Sequence, residues 1–220
     1  MDILERFKEI ISISEKPFVL EFGACDGYHS RIMIDMLNAT GKKYTYHLFE
    51  PNKDLLHLIT DKLPEINTKQ VYLINQAIGA ENGNFPFYKS GGEEVENGKV
   101  LARYFGSSSI RKPKLVIEAW TQMTFEELTA DITTLDSHII LAEEQGRIID
   151  FIWADIQGAE VDLINGGKET FKNVRYLYTE YANAEFYEGE ISREQILELL
   201  PDFEMIEDYG GDILLKNKNL

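Results

Sequence analysis

The sequence predicts an α/β fold in which helices cover both faces of a mostly parallel sheet. Apolar runs of strand length alternate with segments of helical periodicity along most of the chain, which is the pattern of repeated strand–helix units. Polar and glycine-containing breaks follow several of the apolar runs, as expected where the carboxyl ends of parallel strands form a ligand site. The length of 220 residues predicts a single domain spanning 1–220.

The order of elements follows from hydrophobic periodicity and from the residues that end each segment. A leading helix is predicted within residues 1–16 and ends before Pro17. Strands are predicted at residues 19–22, 44–50, 71–75, 115–121, 130–135, 148–154 and 174–178, with a closing antiparallel pair at 203–206 and 213–215. Helices are predicted at residues 30–38, 52–63, 136–145 (capped by Asp136), 161–164 and 192–200 (capped by Ser192). Residues 83–112 are predicted to be a loop or hairpin insertion.

Charge and cysteine content limit the partners and the compartment. The chain has 22 Lys and Arg against 38 Asp and Glu, a formal net charge of −16, and a field of this sign disfavours nucleic acid and anionic membranes. The single cysteine, Cys25, excludes an internal disulfide and predicts a small turn residue, since no base accompanies it. No signal-peptide pattern or apolar membrane span is present. A cytoplasmic protein is therefore predicted, with its oligomeric state left open.

The stretch 19–27 predicts the cofactor. This apolar run carries Glu21 and breaks into a turn that contains Gly23 and Gly27, and glycines allow a backbone to pass close to a ligand. A dinucleotide site would have the spacing G-x-G-x-x-G and would place a pyrophosphate on the next helix. The loop lacks that spacing, and the carboxylates of Glu21 and Asp26 repel phosphate. Because S-adenosylmethionine has a sulfonium, an ammonium and no phosphate, the loop favours that cofactor over NAD.

Residues after the next strands extend the predicted cofactor site. Glu50 ends the second strand, about 20 or more residues after the glycine loop, where an acid holds ribose hydroxyls in doubly wound folds. The alternative is a charge that favours the N-terminus of the next helix. Gln76 and Ala77 follow the third strand, where a doubly wound sheet would place the adenine. The turn 106–109, which contains Ser108, either lines the cofactor pocket or is a surface turn.

Several short motifs occur together in a fixed order. They are Glu-Phe-Gly-Ala-Cys-Asp-Gly at 21–27, Phe-Glu-Pro at 49–51, Ala-Ile-Gly at 77–79, Gly-Ser-Ser at 106–108, Thr-Leu-Asp at 134–136, Asp-Ile-Gln-Gly-Ala-Glu at 155–160 and Asn-Gly at 165–166. In this order they resemble the FkbM family of S-adenosylmethionine-dependent methyltransferases, over most of the chain from residue 19 to residue 181. Gln157 stands where the family frequently has a glutamate, and Trp153 replaces a common lysine.

The resemblance implies the class I methyltransferase fold, a Rossmann-like sheet of seven strands with the last one antiparallel. It also implies methyl transfer to a hydroxyl of a small molecule, such as a sugar or polyketide-type acceptor. By position, Asp155 would face the sulfonium and the acceptor. The predicted cofactor site consists of Glu21, Gly23, Ala24, Asp26, Gly27, Glu50, Gln76, Ala77, Ser108 and Asp155.

An alcohol is a poor nucleophile, so a general base is expected to assist the transfer. Asp155 is the first candidate, Glu180 the second and His29 the third. His29 is equally compatible with a structural place at a helix N-terminus. No metal is predicted, although Asp155, Glu160 and Glu180 would suit a divalent cation if they converged. The aromatic candidates for an acceptor pocket are Trp120, Trp153, Tyr178, Tyr181, Phe186 and Tyr187.

Two other functions are compatible with the same residues. In the first, a protein with this fold binds the cofactor or a partner protein without turnover, since fold alone does not establish chemistry. The other is an NAD(P)-dependent oxidoreductase, which the missing G-x-G-x-x-G spacing disfavours. Stabilisation by S-adenosylmethionine, followed by a turnover assay, distinguishes the three functions.

Overall fold

The chain forms twelve strands and six α-helices in a computed structural model, which describes residues 1–66, 68–96, 99–114 and 123–220. The strands are β1 (Phe18–Phe22), β2 (Thr45–Phe49), β3 (Val71–Ile74), β4 (Ala77–Ile78), β5 (Gly83–Gly91), β6 (Glu93–Glu96), β7 (Lys99–Arg103), β8 (Thr124–Thr133), β9 (Phe151–Ala154), β10 (Tyr176–Glu180), β11 (Phe203–Asp208) and β12 (Asp212–Asn217). The helices are α1 (Ile3–Ile13), α2 (Tyr28–Ala39), α3 (Leu56–Lys62), α4 (Leu135–Leu141), α5 (Glu160–Gly166) and α6 (Arg193–Leu199).

Seven of the strands form one sheet in the order β11-β12-β10-β9-β1-β2-β3. The pairs β1–β2, β1–β9, β2–β3 and β9–β10 are parallel, whereas β12 runs antiparallel to both of its neighbours. The predicted seven-stranded, mostly parallel sheet with an antiparallel last strand is confirmed. Strand order reverses on either side of β1, and doubly wound folds bind their ligands at such a switch point.

The sheet is buried on both faces, as the near-continuous apolar strands predict. Phe18, Leu20 and Phe22 of β1 pack in the core shared with α4, α5 and α6. Val19 packs in the opposite core with residues of α1, α2 and α3. Because successive strand residues point to opposite faces, one short strand connects the two cores and holds its carboxyl end rigidly.

Helix starts follow the predicted capping residues in one case and differ in another. Ser192 caps α6 with a complete capping box that includes Gln195, as predicted. The prediction that Asp136 caps the following helix is wrong: Thr134 has extended backbone angles and accepts from the Ser137 N–H, so α4 begins at Leu135. Asp136 lies within the first turn, where its carboxylate accepts from the N–H and hydroxyl of Thr170. This helix also ends at Leu141, earlier than predicted.

The segment predicted as a loop or hairpin insertion contains ordered strands. β5 pairs antiparallel with β8 along its length, and the short β4 joins β8 in parallel. β6 and β7 form a separate hairpin. The additional β-structure therefore extends beyond residue 112 to the end of β8. The strand predicted at residues 115–121 lies outside the described residues. No helix in the described part of the chain is long and apolar enough to cross a membrane.

Candidate functional site

A cavity of about 520 Å³ opens at the carboxyl ends of β1, β2, β3 and β9. Its lining combines apolar residues with a few polar ones, and it includes predicted cofactor residues from four strand ends. The lining residues are Gly23, Cys25, Phe49, Glu50, Pro51, Gln76, Ala77, Ile78, Phe87, Phe105, Gly106, Ser108, Ser109, Ile110, Asp155, Ile156 and Ala159.

Gly23, which lines this cavity, allows two strand ends to approach each other closely. Its φ of +85° lies in the left-handed region, and a Cβ there would lie 1.9 Å from the backbone oxygen of Asp155. Only glycine fits both conditions. The close approach brings the loop after β1 against the end of β9, so the two strand ends that carry Gly23 and Asp155 form one surface.

Glu50 is a buried carboxylate at the edge of the cavity. It is 4% exposed, and its two oxygens accept hydrogen bonds from the backbone N–H groups of Cys25, at 2.8 Å, and Asn52, at 2.7 Å. Burial raises the pKa of Glu50 to about 7. Each carboxylate oxygen has two acceptor positions, so Glu50 is fixed in orientation and still has capacity for ligand hydroxyls.

Asp155 and Glu180 form a carboxyl pair held by one amide. The Gln157 side-chain nitrogen donates to Asp155 Oδ1 at 2.7 Å and to Glu180 Oε2 at 2.8 Å. Burial raises the pKa of both carboxyls; the negative charge of Asp155 raises that of Glu180 further, and a hydrogen bond joins the two groups. The two carboxyls titrate as one interacting pair. Burial together with the negative charge of Asp155 favours the neutral form of Glu180.

A second, more open cleft lies on the other side of this carboxyl pair and has about 1170 Å³ of empty space. Glu180 and Gln157 line it, whereas Asp155 lines the first cavity. The carboxyl pair is therefore the boundary between two compartments. The residues that line this cleft are Ser107, Gln157, Glu160, Glu180, Tyr181, Ala182, Asn183, Ala184, Phe186, Tyr187, Glu190, Gly211 and Asp212. Below, the first compartment is called the cavity and the second the cleft.

Two loops that form the outer wall of the compartments are tied together. The Tyr187 hydroxyl donates to the Ser107 carbonyl oxygen at 2.6 Å. Arg111 forms a two-pronged ion pair with Asp162 of α5 and also donates to the Glu188 carbonyl oxygen. These contacts attach the turn that contains Ser107 to the loop after β10 and to α5.

Some predicted cofactor residues point away from the cavity. Glu21 is buried, and its carboxylate accepts from the hydroxyls of Ser30 and Tyr46; burial raises its pKa to about 7. Asp26 pairs with Lys62 and accepts from the N–H at the start of α2. Ala24 and Gly27 belong to the same loop but are absent from the cavity lining.

His29 lines neither compartment. It is an exposed residue of α2 whose ring lies 4.9 Å from that of Trp153. Of the aromatic candidates, Tyr181, Phe186 and Tyr187 line the cleft. Trp153 and Tyr178 are buried in the core with their rings 4.4 Å apart, and Trp120 lies outside the described residues.

Three polar residues with a part in the arguments below are among the site residues that were not predicted. Gln157 is the amide that joins the carboxyl pair, and Glu190 and Asp212 line the cleft. The signal for Gln157 was its place in the motif at 155–160 with a residue type that differs from the frequent glutamate. Glu190 and Asp212 belong to loops distant in sequence, and no local pattern indicated that they meet.

Cys25 and the acidic residues were also considered as reactive or metal-binding groups. Burial raises the pKa of the Cys25 thiol to about 12, which disfavours a thiolate nucleophile. Among residues 1–66, 68–96, 99–114 and 123–220, no group of three or more His, Cys, Asp or Glu side chains has an arrangement that would hold a metal ion.

Comparison with known proteins identifies the family. The model of the Methyltransferase FkbM domain matches residues 21–211, which include every lining residue of the two compartments except Asp212. The chain belongs to the FkbM methyltransferase family. The methyltransferase function predicted from the sequence is thereby confirmed. This chain is also 32% identical over 224 residues to the 2-O-methyltransferase NoeI of Sinorhizobium fredii, and the match covers 99% of this chain and 87% of NoeI.

One solved structure agrees with the fold, and a second is a weaker match. This protein matches the crystal structure of the methyltransferase FkbM from Methylobacillus flagellatus with a TM-score of 0.53 and 13% identity. The match covers 93% of this chain and 44% of the Methylobacillus chain. The chain thus spans less than half the length of that structure. A putative methyltransferase from Streptococcus mutans, SMU.1697c in complex with SAH, matches with a TM-score of 0.45 and 8% identity, over 99% of this chain and 98% of that one.

Proposed function

We propose that this FkbM protein transfers a methyl group from S-adenosylmethionine to a hydroxyl oxygen of a small-molecule or glycan acceptor. The observation that carries the proposal is the position of the Asp155–Glu180 carboxyl pair between the cavity and the cleft. A methyl transfer needs the donor and the acceptor oxygen in line and at close range. Two compartments that meet at a proton-accepting group provide that arrangement.

The residues that line the cavity fit the proposed cofactor. Glu50 is fixed by two backbone N–H groups and has acceptor capacity for ribose hydroxyls. No Lys or Arg is among the lining residues, so the cavity is unsuited to the phosphates of a dinucleotide and suited to a cationic donor. Gly23 provides the close backbone approach. When bound there, the cofactor supplies an activated methyl group.

The remaining roles follow the position of each residue. Gln76, Ala77 and Ser108 also line the cavity and are proposed to flank the adenine. Ala24 and Gly27 shape the loop after β1. Glu21 and Asp26 are proposed to act on the cofactor only indirectly, through the position of that loop, because their carboxylates are engaged by other residues.

Asp155 is proposed as the general base. Burial and the Asp155 charge favour the protonated form of Glu180, which leaves the Asp155 carboxylate to accept the proton of the acceptor hydroxyl during the transfer. Glu180 stabilises that carboxylate by its hydrogen bond and contacts the acceptor from the cleft. Gln157 keeps the two carboxyls at a fixed separation. His29 has no proposed part in this step, since it lines neither compartment.

The acceptor atom is inferred from chemistry and from a relative. The 2-O-methyltransferase NoeI is similar over nearly the whole chain, which supports an oxygen acceptor. The polar, aromatic-lined cleft supports a hydroxyl-bearing small molecule or glycan.

Calorimetry followed by a turnover assay tests the proposal. We expect S-adenosylmethionine and S-adenosylhomocysteine to bind the purified protein with measurable heat, and NAD to give none. Turnover is then measured as S-adenosylhomocysteine formed with a panel of hydroxyl-bearing sugars. Asp155→Asn should retain cofactor binding and lose most turnover. Absence of binding by both cofactor forms would contradict the proposal, and unchanged turnover in Asp155→Asn would remove this residue as the base.

A further inference from the structure

We infer that the acceptor carries a protonated amino group, and that Glu160 in the cleft binds it. This inference rests on the proposed function and deepens it, because it names the charge of the acceptor. The cleft contains both an unpartnered buried carboxyl oxygen and a surplus of acidic groups over basic ones. The first observation favours a ligand that donates a hydrogen bond, and the second favours a ligand with a positive charge.

Glu160 is the first residue of α5 and lines the cleft, yet its side chain is almost completely enclosed. The residue is 3% exposed, and its Oε1 atom has no hydrogen-bond partner within the described chain. An unsatisfied buried carboxyl oxygen is costly. A ligand that donates a hydrogen bond at this position removes the cost, so Glu160 is built to receive a donor from the cleft.

The other acidic residues of the cleft determine the charge of that donor. Glu180, Glu190 and Asp212 line the cleft with Glu160, and no Lys or Arg is among the lining residues. Burial raises the pKa of all four carboxyls, and that of Glu160 reaches about 8. Neighbouring carboxylates add to the shift for Glu160 and Glu180. A cationic ligand favours the ionised form of these carboxyls, a neutral polyol does not, and an anion disfavours it.

The remaining walls of the cleft favour an organic ammonium over a metal ion. Tyr181, Phe186 and Tyr187 contribute aromatic surface, and aromatic faces attract ammonium groups. No cluster with a metal-binding arrangement was found within the described residues. An ammonium group needs only one or two acceptors at hydrogen-bond distance, which Glu160 and its neighbours provide.

Matched probes test the charge preference directly. The protein saturated with S-adenosylhomocysteine is titrated at pH 7 with trans-2-aminocyclohexanol and, separately, with trans-cyclohexane-1,2-diol. These probes have the same ring and one common hydroxyl, and they differ by an ammonium in place of the second hydroxyl. We expect the amine to bind about 10-fold more tightly or better, since hydrogen bonds to charged groups contribute about 1.5–3 kcal/mol. Equal binding of the two probes, or no binding of either, would overturn the inference.

A pair of variants locates the effect. Glu160→Gln should weaken binding of the amine about 10- to 100-fold and leave diol binding and the affinity for S-adenosylhomocysteine unchanged. Glu188→Gln is the control, because this exposed residue of the loop after β10 lines no part of the cleft; its amine affinity should equal that of the wild type. An equal loss for amine and diol in Glu160→Gln would overturn the role of this residue. Failure of S-adenosylhomocysteine to bind the wild type would count against the proposed function, and the two probes are then compared on the protein alone.

Discussion

At the scale of single residues, the site depends on side chains with fixed partners. Glu50 is oriented by two backbone N–H groups, and Asp155 and Glu180 by the amide of Gln157. Groups oriented before a ligand arrives lose little freedom on binding and on reaction. Substitution of Glu50 should therefore change mainly the affinity for the cofactor, and substitution of Gln157 should change mainly the turnover rate.

Glu50→Ala should weaken the cofactor more than it slows the chemical step. The change removes a charged acceptor for ribose hydroxyls and leaves the N–H groups of Cys25 and Asn52 without their partner. We expect Kd for S-adenosylmethionine, measured by calorimetry, to rise about 10- to 100-fold, while kcat at saturating cofactor changes much less. Asp54→Asn, at an exposed acid nearby that pairs with Lys89, is the control and should keep the wild-type Kd. Equal losses in Kd and kcat would argue against a ribose contact.

Gln157→Leu should lower turnover with little effect on cofactor affinity. It removes both hydrogen bonds that hold the carboxyl pair, and we expect kcat to fall about 10-fold or more. Gln157→Glu places a third carboxylate beside Asp155, which raises the pKa of the base and should move the acid limb of the kcat–pH profile to higher pH. Gln145→Leu, at an exposed amide outside the site, is the control. A wild-type pH profile in both Gln157 variants would show that the amide does not position the base.

At the scale of elements, the loop after β1 and the end of β9 form one unit. The loop turns through left-handed conformations at Gly23, Cys25 and Gly27, and its backbone hydrogen-bonds to Phe49 at the end of β2. Three strand ends are thus held together by a loop of few residues. Its geometry is more sensitive to a single added methyl group than that of a surface turn.

Two glycine variants test this sensitivity. Gly23→Ala places a methyl group 1.9 Å from the Asp155 oxygen, so we expect a large drop in the free energy of unfolding and loss of cofactor binding. Gly41→Ala is the matched control, because Gly41 has a similar φ of +67° but open space around it; its cost should be about 1 kcal/mol. Both are measured by denaturant unfolding and calorimetry. Similar costs for the two variants would contradict the close approach at Gly23.

At the scale of the whole molecule, buried titratable groups connect stability to pH. His47 of β2 and His138 of α4 meet in the core with their ring nitrogens 2.8 Å apart. Burial lowers the pKa of His47 to about 3 and that of His138 to about 4, below the usual value of about 6.5. Both rings are therefore neutral in the folded protein at neutral pH.

The histidine pair predicts a loss of stability in acid. Between about pH 6.5 and pH 4 the unfolded chain binds protons that the folded core excludes, so this contribution is complete above pH 6.5 and decreases as the pH falls. The double variant His47→Phe/His138→Leu should lack this dependence. Denaturant unfolding at several pH values checks the difference between wild type and variant, which cancels the contribution of the buried carboxyls. A constant difference from pH 7 to pH 4.5 would contradict the prediction.

Much of the fold and part of the site could be predicted from the sequence. Strands buried on both faces have long apolar runs, and the polar residues at their carboxyl ends, Glu50, Asp155 and Glu180, follow directly. The orientation of Glu21 could also be inferred from the sequence, because strand alternation places its side chain on the same face as Val19 and toward Ser30. The pairing of β5 with β8 and the presence of Glu160 and Asp212 in one cleft depend on contacts between distant segments. No local pattern encodes such contacts, so the acidic cleft emerged only from the structure.

Ser107 and Ser108 are consecutive residues of one turn, and they line the cleft and the cavity respectively. The turn is tied to β5 through Ser90 and to the loop after β10 through Tyr187. Because one turn lines both compartments, we expect a donor in the cavity to influence the binding of the second substrate in the cleft. The expected outcome is a compulsory sequence of association, with the donor entering first and its demethylated form leaving last. Product-inhibition patterns in steady-state kinetics distinguish this sequence from random association.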